Sequence, residues 1–143
     1  MNVSRETIEA ALFALLSGSS SFATTGRRLK YWGDVAEQPA LFLRSTGEHH
    51  APQEGRGQPQ KVILEYDVFI YTKTGSPTAI PSQAISPLLD ALDAALQPSP
   101  MTGVQQLGVS AVQHCWREGH TPVDTGDAMD QAVAVASIRV LVV

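Results

Sequence analysis

The clearest pattern in the chain is the strict alternation of KVILEYDVFIYT, residues 61–72. Val62, Leu64, Tyr66, Val68 and Ile70 fall on one side, and Ile63, Glu65, Asp67, Phe69 and Tyr71 on the other. That period of two predicts a strand. Its first side is uniformly apolar and is expected to meet helices. Its second side is mixed, which predicts partial exposure or an interface between copies.

Near the start the period changes. Ile8, Ala11, Leu12, Leu15 and Leu16 recur at helical spacing behind Ser4, a good N-cap, with Glu6 and Glu9 near the positive end of the helix. Ser17-Gly18 ends this first helix. Further on, Ser86-Pro87 reads as N-cap and N1 of a second helix. Leu88, Leu89, Leu92 and Leu96 form its stripe, Asp90 and Asp93 lie opposite, and Pro98 and Pro100 stop it. A short strand is predicted in ALFLRS after Pro39. Two more are predicted in GVSAVQHCW and QAVAVASIRVLVV, as a hairpin around residues 118–130. The elements predict an α+β fold: an about four-stranded, mainly antiparallel sheet with two amphipathic helices packed on one face. Leu64, Tyr66, Val68 and Ile70 are expected to pack against Leu12, Leu15, Leu16, Leu88, Leu89 and Leu92.

Two polar stretches interrupt this order. SSSFATTGRRLKYWGDVAEQ has no period and reads as an exposed loop carrying Arg27, Arg28 and Lys30. Residues 46–60, TGEHHAPQEGRGQPQ, hold three Gly and two Pro and almost nothing apolar, which predicts a flexible loop or arm. The 143 residues are expected to form one domain across 1–143.

Charge sharpens the picture. Residues 1–73 hold eight Lys/Arg and eight Asp/Glu, whereas residues 74–143 hold two and six, so the second half carries the whole net charge of −4. Such asymmetry suits head-to-tail contact between copies or with a partner, and an acidic solvated surface explains it equally. Nothing suggests a basic nucleic-acid surface. The single cysteine excludes an internal disulfide framework and fits a reducing compartment. ALFALLSGSSSFA has some look of a signal sequence, but Arg5, Glu6 and Glu9 favour a helix. No apolar run reaches the ~18–20 residues that span a bilayer.

The richest chemistry lies in VQHCWREGHTPVDTGD, residues 112–127. His114 and Cys115 are adjacent on a predicted strand and so point to opposite faces. His120, Asp124, Asp127 and Asp130 fall in the hairpin loop at spacings that match neither a calcium loop nor a helical zinc pair. Cys115 has no evident base beside it, and His49-His50 reads as plain surface. No nucleophile elbow, phosphate loop or dinucleotide fingerprint is present. These features point to an interaction or structural protein, with no catalytic residue, metal or cofactor. The contrary reading is a small metal-dependent enzyme using His114, His120 and Asp124.

The segment VQHCWREGHTPVDTGDAMDQAVAVASIRVLV resembles the closing strand pair of tail terminator (tail completion) proteins of long-tailed bacteriophages: a strand ending in an aromatic, a Gly- and acid-rich loop, then a long closing strand. KVILEYDVFIYTKTG and ISPLLDALDAAL resemble that family's central strand and second helix. The resemblance implies a structural virion protein at the head-proximal end of the tail, assembled in the host cytoplasm. It would form a homohexameric ring on the tail tube protein, stop tube polymerisation and present the surface that joins the head. DNA would pass through unread, without cofactor, catalysis or membrane. A head-tail connector or stopper, or the tube subunit itself, is the alternative within this class. Arg27, Arg28 and Lys30 against Asp124, Asp127 and Asp130 are the candidate interface, as the densest clusters of each sign.

Overall fold

Ser4 caps the first helix as its position predicts. Its Oγ accepts from the Thr7 N–H at 3.0 Å, which satisfies one of the free donors of the first turn. In the computed structural model, which describes residues 3–52, 55–57, 60–76, 78–124 and 130–143, this helix (α1) spans Arg5–Ser17. It buries Ile8, Leu12 and Leu16, and Gly18 closes it.

The sheet is larger than the four strands expected, and it is mixed. Its strands are β1 (Thr24–Gly26), β2 (Ala40–His50), β3 (Val62–Lys73), β4 (Val112–Arg117), β5 (Val123–Asp124) and β6 (Gln131–Val142). Their order is β1-β2-β3-β6-β4, with β5 also on β6. The fold is α+β. Four of the pairings are antiparallel, and β1 runs parallel to β2. The two extra strands are three and two residues long, too short to show a period in sequence. They exist because neighbours hold them in register. Gly26 permits the first: a Cβ there would stand 3.1 Å from the Phe42 ring.

The C-terminal strand lies inside the sheet, between β3 and β4. β6 pairs along its length with β3, from Lys73↔Gln131 to Val62↔Val142, and with β4 on its other side. Residues 131–143 are apolar at nearly every position because this central strand is shielded on both edges. At its start, the buried Gln131 exchanges 2.9 Å side-chain hydrogen bonds with Gln38 and donates to the Thr72 carbonyl at 3.1 Å. A buried amide is thereby fully engaged.

The second helix, α2, spans Pro81–Ala95 and starts earlier than predicted. Pro81, not Pro87, occupies its first turn, and Pro87 lies inside the helix on the exposed side. The earlier start brings Ile85 into the stripe with Leu88, Leu92 and Leu96, all buried. α1 lies over β2 and against α2, and α2 lies over β3 and β6. The core between helices and sheet contains Leu64, Tyr66, Val68 and Ile70 with Leu12, Leu16, Leu88 and Leu92, while Leu15 and Leu89 pack at its margin. Among the described residues no helix is long and apolar enough to cross a membrane.

The polar arm also differs from expectation. β2 continues through Thr46–His50, past a bulge between Ser45 and Gly47, and the Ala51 N–H donates to the Lys61 carbonyl at 3.0 Å. Cross-strand pairing, not side-chain period, makes residues 46–50 a strand. Of the rest of the expected loop, residues 53, 54, 58 and 59 lie outside the described residues.

Candidate interface surfaces

The sheet has one face under the helices and another with a smaller apolar cluster at one end. There Ala40, Phe42 and Tyr71 are buried, with Leu29, Trp32, Val35, Phe69 and Val133 packed around them. Trp32 meets Tyr71 edge-on at 6.3 Å, and the Tyr71 hydroxyl donates to the Lys30 carbonyl at 2.8 Å. These anchors pin the segment after β1 to the sheet, so its basic side chains project from a fixed base. Tyr31 is 59% exposed and its ring lies 4.2 Å from that of Trp32. Exposed Tyr beside Arg and Lys is a common composition for the centre of a binding patch. In sequence this stretch shows only as a basic loop. The interleaved aromatics of RRLKYW were the available signal.

The structure separates the three basic residues. Arg27 turns inward: its guanidinium binds Glu6 of α1 at 2.6 and 2.7 Å and also engages Glu9. These carboxylates raise the Arg27 pKa further above its ordinary value, and Arg27 in turn lowers that of Glu6. Arg28 and Lys30 are exposed and make no ion pair among the described residues.

The acidic hairpin is tied down at both ends. Arg117 binds Asp93 of α2 at 2.6 Å and Thr121 at 2.8 Å. Asp130 stands 3.8 Å from Lys73, and its carbonyl accepts from the Thr74 N–H at 2.8 Å. Asp124 sits on β5 opposite Val133. Asp127 lies outside the described residues. The ion pairs of Arg27 and Asp130 thus run to partners elsewhere in the chain, not across the two clusters.

The remaining open sheet face carries a cross-strand charge ladder. Arg139 lies 3.7 Å from Glu65 and 3.2 Å from Glu118, and Arg44 lies 3.8 Å from Asp67 and over the Phe69 ring. Ile63 and Leu141 alternate with these charges in the same register. This is the mixed second side of the alternating strand, half-buried and left uncovered by the helices.

The His/Cys stretch falls apart as a constellation. His114 is on the open face, where it stacks on Trp116 at 5.4 Å and its Nδ1 accepts from the Gln105 N–H at 3.1 Å. Cys115 points into the core at 1% exposure, and burial pushes its thiol up to about 12. His120 is exposed. Among the described residues no three His, Cys, Asp or Glu side chains gather as a metal site. His49 and His50 lie on β2, not in a loop, and His50 contacts Glu48 at 3.1 Å.

No protein-family model matches this chain, and no curated protein matches it. Among solved structures, the chain is similar to one in the virion of a native gene transfer agent (GTA) particle, with a TM-score of 0.46 and 11% identity, over 96% of this chain and 89% of that one.

Proposed function

We propose that the whole chain acts as one tail-terminator-like domain: a structural virion protein that forms a six-membered ring on the head-proximal end of a tail tube. The ring ends tube growth and offers the head-joining surface, while DNA passes through without being read. The observation that carries this reading is the C-terminal strand pair. β4 ends in Trp116-Arg117, an acid-rich loop follows, and β6 then closes the sheet between β3 and β4. That is the arrangement implied by the sequence resemblance, and it uses the most distinctive part of the chain.

The surfaces suit head-to-tail assembly. A cyclic ring joins two different patches of each subunit, repeated until the circle closes. Here the exposed basic pair Arg28 and Lys30 beside Tyr31, the acidic β5 hairpin and the charged open sheet face are distinct patches on one small fold. A net charge of −4 also suits a channel that passes DNA without holding phosphate. Native mass spectrometry with negative-stain imaging over rising protein concentration tests the reading. Closed rings of six support it. Filaments of indefinite length assign the chain to the tube, and a single-copy protein that leaves tails unaltered overturns it.

A further inference from the structure

β1 pairs with β2 only alongside Ala40, Leu41 and Phe42, so from Arg44 onward the outer side of β2 is an edge of the sheet. Every residue from Arg44 to His50 is exposed. The inner ladder fixes where the backbone groups of this edge point. The Ala51 N–H donates to the Lys61 carbonyl at 3.0 Å, and the register past the bulge runs Gly47↔Glu65, Glu48↔Leu64, His49↔Ile63 and His50↔Val62. Hydrogen-bonded and open pairs alternate along an antiparallel ladder. Gly47, His49 and Ala51 therefore bond inward to β3, and the N–H and C=O of Glu48 and His50 point outward. Outside that ladder, Glu48 and His50 make no backbone hydrogen bond among the described residues.

Such an edge is a template for another extended chain, and proteins blunt edges with bulges or charges that repel. Here the bulge lies between Ser45 and Gly47, ahead of the outward groups. The side chains at those groups are complementary, not alike. Glu48 and His50 share the helix side of the strand, and within one copy the His50 Nε2 already meets the Glu48 Oε1 at 3.1 Å. Reversing the strand about His49 sets Glu48 opposite His50 at both ends. The same reversal sets the outward groups of Glu48 against those of His50, as a hydrogen-bonded pair requires, and leaves His49 against His49 as the open pair between them. The edge is thus self-complementary in backbone and in side chain, which selects a second copy as its occupant.

We infer that two copies of this chain pair antiparallel through the open edge of β2, about a two-fold axis at His49, so that one sheet continues into the other. A two-fold joint is not the joint that repeats head to tail around a ring. The contact goes beyond the ring reading and stands or falls separately from it.

The test uses the full chain. His49→Cys places two thiols in an open antiparallel pair, about 4.5 Å apart at Cα, within the range a disulfide spans. The natural Cys115 is buried and does not compete. Ser45→Cys is also exposed, but it would stand roughly 26 Å from its counterpart along the joint. Under mild oxidation His49→Cys should give a disulfide-linked dimer many-fold faster than Ser45→Cys. Sedimentation of the unaltered chain over rising concentration should show monomer passing into dimer. His50→Pro removes only an outward N–H from the backbone and should abolish the dimer. His50→Glu should weaken it several-fold, and adding Glu48→His should restore it, because the exchanged pair is again complementary. The exchange carries the test should His50→Pro unfold. A monomer at every concentration, equal cross-linking at the two positions, or a dimer unchanged by both His50 variants overturns the contact. A ring of six in which His49→Cys does not cross-link overturns the contact and spares the ring; a His49-linked dimer that never builds a ring supports the contact and counts against the ring alone.

Discussion

Arg27 reaches back from the end of β1 to clasp Glu6 of α1 with both terminal nitrogens, at 2.6 and 2.7 Å. Glu9, one helical turn on, shares the same guanidinium. The most conspicuous cation of the basic loop is therefore part of the fold. Reversing it to Glu places three carboxylates together. Arg27→Glu is expected to lower the thermal midpoint, and adding Glu6→Lys to restore most of it. An unchanged midpoint in the single variant would show that this pairing contributes nothing.

Arg28 and Lys30 behave differently because their side chains make no ion pair among the described residues. Arg28→Glu with Lys30→Glu should leave the unfolding midpoint within experimental error, since exposed single charges contribute only ~0–1 kcal/mol. In a tail-completion assay the same variant should lose activity, and Asp124→Lys should restore part of it if the acidic hairpin is the facing patch. Full activity of the double variant removes this loop from the functional surface.

The helix–sheet core makes a graded prediction. Leu92 is 1% exposed, whereas Leu89 packs only at the margin. Leu92→Ala should cost about 2–5 kcal/mol by chemical denaturation, and Leu89→Ala about half that or less. Equal costs would mean that the helix is rotated from the orientation described.

Acid should loosen the α1–β2 junction. Hydrogen bonds from Arg5, then His50, hold Glu48 down to about 2, and Arg27 lowers Glu6. A carboxyl depressed in the folded state stabilises above its unfolded value of about 4.5 and loses that contribution as pH falls through the folded value. Stability should therefore fall between about pH 4.5 and 2, and Glu48→Gln should flatten the slope. Urea midpoints across that range measure it; an identical slope in the variant contradicts the assignment.

Cys115 is buried and its thiol is pushed up to about 12 by burial alone. At pH 8 it should react with an aromatic disulfide reagent only on the timescale of unfolding. Stoichiometric reaction within the mixing time would show that β4 opens readily.

Much of this was legible in sequence for stated reasons. β3 announced itself because its two faces meet different surroundings: Leu64 and Val68 the helices, Glu65 and Asp67 the open side. α1 was legible because Ser4, Glu6 and Gly18 mark its ends. α2 was misplaced at its start because Ser86-Pro87 imitates a helix entry, and only the burial of Ile85 reveals the earlier turn. β1 and β5 were invisible because their pairing is set by Phe42 and Val133 on neighbouring strands. The basic and acidic clusters were correctly seen as charge. The ion pairs of Arg27 were not legible, since its partners lie 21 and 18 residues away.

The central claim is that this chain closes the tail as a ring of six. Imaging of tails assembled with and without the protein, with rotational averaging of the head-proximal end, tests it most directly. The account predicts a terminal disc of six-fold symmetry on tails of uniform length, and overlong or unjoined tails when the protein is absent. Tails of normal length and normal head attachment without the protein, or a disc of another order, would contradict it.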